Sequence, residues 1–403
     1  MSDKKMTHPG GHPGGHPGGH PGGHPGKQGH PGGHPGGHPG VNPLPGKNAD
    51  GSPPLRLIAW EITRSCNLAC KHCRAEAHPE PYSGELSTAE AKALIDTFPE
   101  TGNPIIIFTG GEPLLRHDVF ELVEYAKGKG LRCVMAPNGT LLTAENSVQL
   151  KEVGIERCSI SIDAAEAKYH DEFRGEKGAF DKAMQGIQYL KDAGIEFQIN
   201  TTVTRNNLHM FKDIFHLAKD LGASAWHIFL LVPTGRAAEL GAEIISADEY
   251  EEVLNWFYDF QKTTDMQLKA TCAPHYHRIL RQRAKEEGIP VNFENFGLDA
   301  VSRGCLGGVG FCFISHRGQV QPCGYLELDC GNVREIPFPE IWAKSPQFLN
   351  LRNPETYDGK CGHCEYEKVC GGCRARAATM EGSYLGPEPL CSYEPKKKGK
   401  KDK

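Results

Sequence analysis

Between about residues 55 and 235, short apolar or β-branched runs alternate six times with segments of helical spacing, and this constrains the fold more than any other feature. The extended runs are Arg56 to Trp60, Ile105 to Thr109, Arg132 to Ala136, Arg157 to Ile162, Phe197 to Val203 and Ala225 to Val232. Between them helical spacing covers Thr88 to Phe98, Asp118 to Lys129, Ala144 to Glu152, Phe180 to Ala193 and Leu208 to Leu221. Ser87 marks the start of the first helix, and Gly154, Gly194 and Gly222 mark the ends of later ones. Parallel strands need crossovers, so the pattern predicts an α/β domain with a parallel sheet and helices outside it. Six units are too few for a closed eight-unit barrel. The expectation is an open, partial (β/α)6 TIM-like barrel with its chemistry at the C-terminal ends of the strands.

The flanking segments have a different character. Residues 1–50 hold 16 Gly, 10 Pro and 8 His, and lack the apolar content that could offset the entropy of ordering, so they read as a disordered tail. Its histidines, His8, His12, His16, His20, His24, His30, His34 and His38, recur mostly as HPGG. The barrel is assigned to 51–240, and a helical linker to 241–300 with helices over Ala247 to Gln261 and His275 to Glu287. A cysteine-rich extension follows at 301–395, with a hairpin joining Phe311 to Ser315 and Gln319 to Gln321, and 396–403 form a short basic tail. The net charge of −5 argues against a broad cationic surface for nucleic acid. No run approaches the 18 or so consecutive apolar residues of a membrane span, and the N-terminus lacks the apolar core of a signal peptide, so the expected location is the cytoplasm. There, fifteen cysteines point to metal ligation or redox chemistry rather than disulfides.

Three constellations carry chemistry. Cys66, Cys70 and Cys73 form a CxxxCxxC directly after the first strand. Soft sulfur ligands select iron–sulfur clusters or zinc, and three thiolates on a four-iron cluster leave one iron open. Zinc, completed by His72 or His78, is the alternative. Gly110, Gly111 and Glu112 follow the second strand, where glycines permit close backbone approach and a carboxylate can meet an ammonium. Cys361, Cys364, Cys370 and Cys373, with Cys391 beyond, form the third; a zinc ribbon is its alternative. Cys133, Cys158 and Cys272 read as buried core thiols.

Taken together, CxxxCxxC and GGEP on consecutive β/α units resemble the radical S-adenosylmethionine (SAM) superfamily over residues 55 to 235. The resemblance implies a [4Fe-4S] cluster on Cys66, Cys70 and Cys73 whose open iron is chelated by SAM. It implies that Gly110, Gly111 and Glu112 bind the SAM amino group. Ser161, Asp163 and Arg174 stand where the family contacts the SAM ribose and carboxylate, and Asn138 and Thr201 are weaker candidates. The C-terminal cysteines resemble the SPASM-type extension, which implies an auxiliary [4Fe-4S] cluster on Cys361, Cys364, Cys370 and Cys391, two clusters in all. A second auxiliary cluster on Cys305, Cys323 and Cys373, with Cys312 as a further candidate, is in doubt because two residues separate Cys370 from Cys373 where the motif has three.

The wording around Cys364 to Cys373 and Thr271 to Arg278 is similar to the haem-biosynthesis branch of the superfamily, above all to its SAM-dependent haem synthases. That resemblance implies oxidative decarboxylation of two propionates of Fe-coproporphyrin III to vinyl groups, giving haem b, with two SAM cleaved to methionine and 5′-deoxyadenosine. It also implies an electron donor such as flavodoxin or ferredoxin. Siblings that remove the acetates of didecarboxysiroheme or build haem d1 are alternatives, as is a peptide-modifying maturase. A metal-storage or metal-delivery protein is the non-enzyme alternative, but it leaves CxxxCxxC, GGEP and the β/α units unexplained. Arg236, Arg278, Arg303, Arg374 and Arg376 are candidate anchors for propionates, and His275, His277 and Arg278 are candidates for flanking the substrate. The tail histidines are candidates for weak, reversible binding of haem or metal.

Overall fold

The computed structural model describes residues 46–48 and 50–396. The HPGG repeats and all of the basic tail beyond Lys396 lie outside the described residues. Six parallel strands alternate with helices as the pattern predicts: β1 (Leu57–Thr63), β2 (Ile105–Gly110), β3 (Arg132–Met135), β4 (Ile155–Ser161), β5 (Glu196–Val203) and β6 (Ala225–Leu230). Each buries one apolar face, whereas the other is mixed, as with Gln198, Asn200 and Thr202 on β5. Trp60 of β1, Phe108 of β2 and Trp226 of β6 are fully buried. The connecting helices are α1 (Thr88–Thr97), α2 (Val119–Gly128), α3 (Ala144–Glu152), α4 (Ala167–Arg174), α5 (Ala179–Asp192) and α6 (Phe211–Asp220). Ser87 caps α1 in a reciprocal box with Glu90, and Thr143 with Asn146 does the same for α3. The crossover from β4 to β5 holds two helices where periodicity shows one; α4 is short and polar, and earns its place by carrying Arg174.

The sheet is larger than six strands. After α7 (Ala247–Gln261), β7 (Gln267–Thr271) pairs in parallel with β6, and α8 (Tyr276–Glu286) packs back on α7. The segment expected to be a helical linker is therefore a seventh β/α unit; its strand, QLKAT, is too short and polar to show as an apolar run. At the other edge β8 (Phe311–Ile314) pairs in parallel with β1, and β9 (Val320–Gln321) closes the predicted hairpin, with Ile314 opposite Val320. The strand order is β7-β6-β5-β4-β3-β2-β1-β8-β9, open at β7 and β9. The cysteine-rich extension is thus continuous with the barrel. Trp342 of the helix Phe338–Lys344 is fully buried and donates from its indole to the Pro53 carbonyl at 2.8 Å.

Candidate functional site

β1 runs directly into the loop that bears Cys66, Cys70 and Cys73, and this loop is held by backbone contacts within itself, from α4 and from strand ends. The Cys66 N–H donates to the His78 carbonyl (2.9 Å), and the Lys71 N–H to that of Phe173 (2.9 Å). A Cβ on Gly110 would stand 2.3 Å from the Thr63 carbonyl oxygen, and one on Gly111 2.3 Å from that of Ser65. Both glycines are therefore required for β2 to dock on the start of the loop. After β6, Gly235 approaches the loop in the same way, its missing Cβ 2.3 Å from the Arg74 carbonyl oxygen. Next to it Arg236 donates to the carbonyls of Cys70 (2.8 Å) and Ala77 (3.0 Å). Through these two bonds Arg236 clamps the thiol loop, while its Nη2 has no partner.

The groups around the sulfurs suit an iron–sulfur cluster. The Leu68 N–H donates to Cys66 Sγ (3.4 Å), and Arg174 Nη1 lies 3.8 Å from Cys70 Sγ. Burial pushes the Cys66 thiol up to about 12 and raises Cys70, so these two ionise when they bind metal rather than before. Of the histidines that zinc would recruit, His72 has its Nδ1 unpartnered and only His78 is paired through a ring nitrogen. His72 stacks on Phe173 with ring centroids 4.1 Å apart, and His78 stacks on Tyr82 while its Nδ1 meets Glu80 at 3.0 Å. Among the described residues no three His, Cys, Asp or Glu side chains converge as a single bound ion requires. Thiolates on separate irons of one cluster stand farther apart than ligands on one zinc.

Five expected SAM-site residues lie near this loop. Glu112 is fully buried, accepts from the N–H groups of Asn138 (2.6 Å) and Leu114 (3.1 Å), and forms no ion pair among the described residues. Burial pushes its carboxyl up to about 7. Asn138 also reaches Asn67 of the thiol loop through its amide (2.8 Å). Asp163 and Arg174 form a buried pair at 2.5 Å. Asp163 is further held by the Thr202 N–H, and Asn207 Nδ2 donates to its carbonyl. Ser161, the last residue of β4, is half-buried opposite Asn200. Thr201 does not join them. It is fully buried, donates to the Ile162 carbonyl (2.7 Å) and accepts from the Trp226 indole (2.9 Å), so its hydroxyl is spent in the core.

In the extension, Cys361, Cys364, Cys370 and Cys391 line one cavity, together with His275, Arg278 and Glu388. Backbone N–H groups point at three of these sulfurs: Tyr366 to Cys364 (3.4 Å), Gly372 to Cys370 (3.5 Å) and Glu388 to Cys361 (3.3 Å). A second group of thiols lies beside it. Cys373 accepts a hydrogen bond from Cys272, which with the Arg376 guanidinium holds its thiol down at about 7, and Cys323 interacts with both Cys373 and Cys305. Cys272 is the residue that sequence reasoning missed. It follows β7 immediately, at the C-terminal end of a strand, and recognising that strand would have singled it out. Cys133, Cys158 and Cys312 are fully buried in β3, β4 and β8, so Cys312 does not join the second group.

The remaining arginines expected to meet propionates each have partners within the protein, although the Nε atoms of Arg278, Arg303 and Arg376 have none. Arg278 pairs with Glu251 at 2.5 Å and stacks over Tyr393. Arg303 donates to the Tyr357 hydroxyl (2.7 Å), and Arg374 to the Gly386 carbonyl (2.7 Å) and Cys361 Sγ (3.4 Å). Arg376 and Glu388 form a fully buried pair at 3.2 Å, and Arg376 also donates to the carbonyls of Leu230, Leu231 and Cys272. Burial pushes the Glu388 carboxyl up, but Arg376 outweighs it and holds it below the usual range. His277 is buried on α8.

Comparison with known proteins agrees with this geometry. Residues 60–218 match the Radical SAM superfamily and 305–374 an iron–sulfur cluster-binding domain, SPASM. The chain is 72% identical over 352 residues, 87% of its length and 91% of the relative's, to an AdoMet-dependent heme synthase of Oleidesulfovibrio alaskensis. The chain belongs to the radical SAM superfamily, in the AdoMet-dependent haem synthase family. It is therefore a radical SAM enzyme with a SAM-binding [4Fe-4S] cluster and a SPASM domain for further clusters. A Fe-coproporphyrin III synthase of Methanosarcina barkeri is more distant, 32% identical over 83% of this chain and 87% of its own. Streptococcus suis SuiB bound to S-adenosylmethionine shares the fold, with a TM-score of 0.65 at 15% identity over 84% of this chain and 78% of SuiB. Among the described residues no helix is long and apolar enough to cross a membrane.

Proposed function

We propose that this haem synthase family member converts two propionates of Fe-coproporphyrin III to vinyl groups. The observation that carries this reading is the 72% identity over nearly the whole chain to a protein named for haem synthesis, set against 32% to the sibling named for making the iron coproporphyrin. Each conversion removes a hydrogen atom from the propionate β-carbon, releases CO2 and leaves one electron for an acceptor. When bound, the cluster and SAM supply a 5′-deoxyadenosyl radical as the hydrogen-atom abstractor. The chain's residues bind and orient. Cys66, Cys70 and Cys73 hold the cluster in a loop clamped by Arg236, and Glu112, a buried carboxylate without a cation, receives the SAM ammonium. Arg174, tied to Asp163, steadies the charge of the Cys70 thiolate, and Asn138 and Ser161 complete the strand-end rim. Two auxiliary clusters fit the thiols of the extension, one on Cys361, Cys364, Cys370 and Cys391, the other on Cys272, Cys305, Cys323 and Cys373.

Anaerobic incubation of reconstituted protein with SAM, a reductant and Fe-coproporphyrin III tests the reading by mass spectrometry. The expected product has lost two CO2 and four hydrogens in all. Turnover with didecarboxysiroheme alone would transfer the assignment to the sibling reaction. Flavodoxin or ferredoxin as the reductant partner rests on the one-electron chemistry. The density of imidazoles supports the tail as a weak, reversible trap for haem or divalent metal. Deleting residues 1–46 with no change in turnover, haem affinity or metal content would sink that trap.

A further inference from the structure

His275 begins α8, is 1% exposed, and forms part of the wall of the cavity that holds Cys361, Cys364, Cys370 and Cys391. Neither of its ring nitrogens has a hydrogen-bond partner. Its ring is packed edge-on against Tyr250 with centroids 4.8 Å apart, which fixes its plane. A buried imidazole always has at least one N–H to place, and leaving a buried donor unsatisfied costs about 1–3 kcal/mol. The cavity already supplies four thiols, the full complement of a [4Fe-4S] cluster, so the imidazole is not needed as a ligand. Side-chain donors to these sulfurs are few among the described residues: the N–H groups that reach Cys361, Cys364 and Cys370 belong to the backbone, and Arg374 is directed at Cys361.

We infer that His275 donates a hydrogen bond to the sulfur atoms of the auxiliary cluster on Cys361, Cys364, Cys370 and Cys391, and thereby raises its reduction potential. Hydrogen bonds to cluster sulfurs are one of the means by which a protein sets that potential, because they stabilise the more negative, reduced form. The inference rests on the cluster assignment made above, and it reassigns His275 from substrate contact to cofactor tuning. The neighbouring Arg278 lines the same cavity; Glu251 holds its two terminal nitrogens while its Nε has no partner, so it adds positive charge beside the same sulfurs and the substitution at His275 is what separates the two contributions.

The test uses the full-length protein with its clusters reconstituted. In His275→Leu, iron and sulfide content stay at the wild-type value while the auxiliary midpoint, read by redox titration with EPR detection, falls by about tenfold in the reduction equilibrium, ~59 mV for one electron. His275→Gln, which keeps a donor, recovers most of that shift, and the signal of the SAM-bound cluster is unchanged in both. An unchanged auxiliary midpoint in fully loaded His275→Leu overturns the inference. So does loss of about four irons in both variants, which would make His275 a residue that holds the cluster. A second readout needs no substitution. Pulsed EPR of wild-type protein labelled with 15N-histidine is expected to show weak nitrogen coupling to the reduced auxiliary cluster, and absent coupling, or one as strong as a direct ligand's, refutes it. Iron counting and haem formation are separate measurements, so failure of the cluster or substrate assignment is distinguishable from failure of the role given to His275.

Discussion

The thiol loop of the barrel and the cysteines of the extension hold sulfur by different means. In the barrel, Cys66, Cys70 and Cys73 lie within eight residues, and the bracing comes from strand ends: Gly110 and Gly111 after β2, Gly235 and Arg236 after β6. In the extension and at the end of β7, the eight thiols of the two groups come from positions between 272 and 391, and charged side chains tie them together. Glu388 alone accepts from the Cys373 N–H, pairs with Arg376 and sends its own N–H to Cys361 Sγ. A parallel sheet brings several strand ends to one short loop, whereas a segment whose thiols are spread along the chain depends more on buried charge and metal to fix its shape.

The largest expected effects separate the two regions. Cys70→Ala should abolish SAM cleavage and remove about four irons, since three thiolates are the minimum that leaves one iron open. Cys272→Ser should also lose about four irons yet keep reductive SAM cleavage, because its thiol belongs to the group of Cys305, Cys323 and Cys373. Cys158→Ser, a fully buried core thiol in β4, should keep every iron. If Cys272→Ser retains the wild-type iron content, the second auxiliary group is wrong.

Next comes the ion pair that joins the extension to the barrel. Arg376 and Glu388 are both fully buried, and removing one partner leaves the other charge uncompensated, which costs about 3–5 kcal/mol. Urea unfolding of Arg376→Met and Glu388→Gln should show losses of that order, and the double variant should lose less than their sum. Additive losses would mean that the two side chains act independently. A thiol loop in the barrel that kept its SAM-bound spectrum in these variants would sharpen the contrast, since nothing in its bracing passes through Arg376.

These differences also explain what was legible. The barrel strands and most helices follow from local periodicity, and α3 and α7 match the predicted ranges. The sites with local spacing, CxxxCxxC and GGEP, were legible for the same reason. Residues whose roles depend on remote partners were not. Arg236, Arg278, Arg303, Arg374 and Arg376 look alike in sequence as free cations, and only the fold shows that each is directed at a carbonyl, a carboxylate, a hydroxyl or a sulfur of the chain. Cys272 was hidden because β7 is too polar to read as a strand by itself; pairing with β6 places it. Thr201 at the C-terminal end of a strand looked available, but the Trp226 indole, 25 residues away, occupies its hydroxyl.

The smallest effect tests the one strand-end group in the barrel that has no counter-charge. Burial raises the Glu112 carboxyl to about 7, above its value in an unfolded chain. The empty-site protein therefore loses stability as pH rises from the ordinary carboxylate range to about 7, and loses nothing further from this group above it. SAM binding runs the other way. Its ammonium pairs with the ionised carboxylate, so below about 7 each unit of acidity must be offset by proton removal, up to tenfold in affinity or 1.36 kcal/mol. Above about 8 the amino group of SAM begins to lose its own proton. Affinity measured by equilibrium dialysis should thus rise with pH to a maximum between about 7 and 8. In Glu112→Gln the rising limb should vanish and affinity at the maximum should fall about tenfold, consistent with the loss of one charge-assisted pair. A rising limb of the same slope in Glu112→Gln would assign the proton to another group. A flat profile in the wild type would mean that Glu112 is already ionised, its charge carried by the N–H groups of Leu114 and Asn138 before SAM arrives.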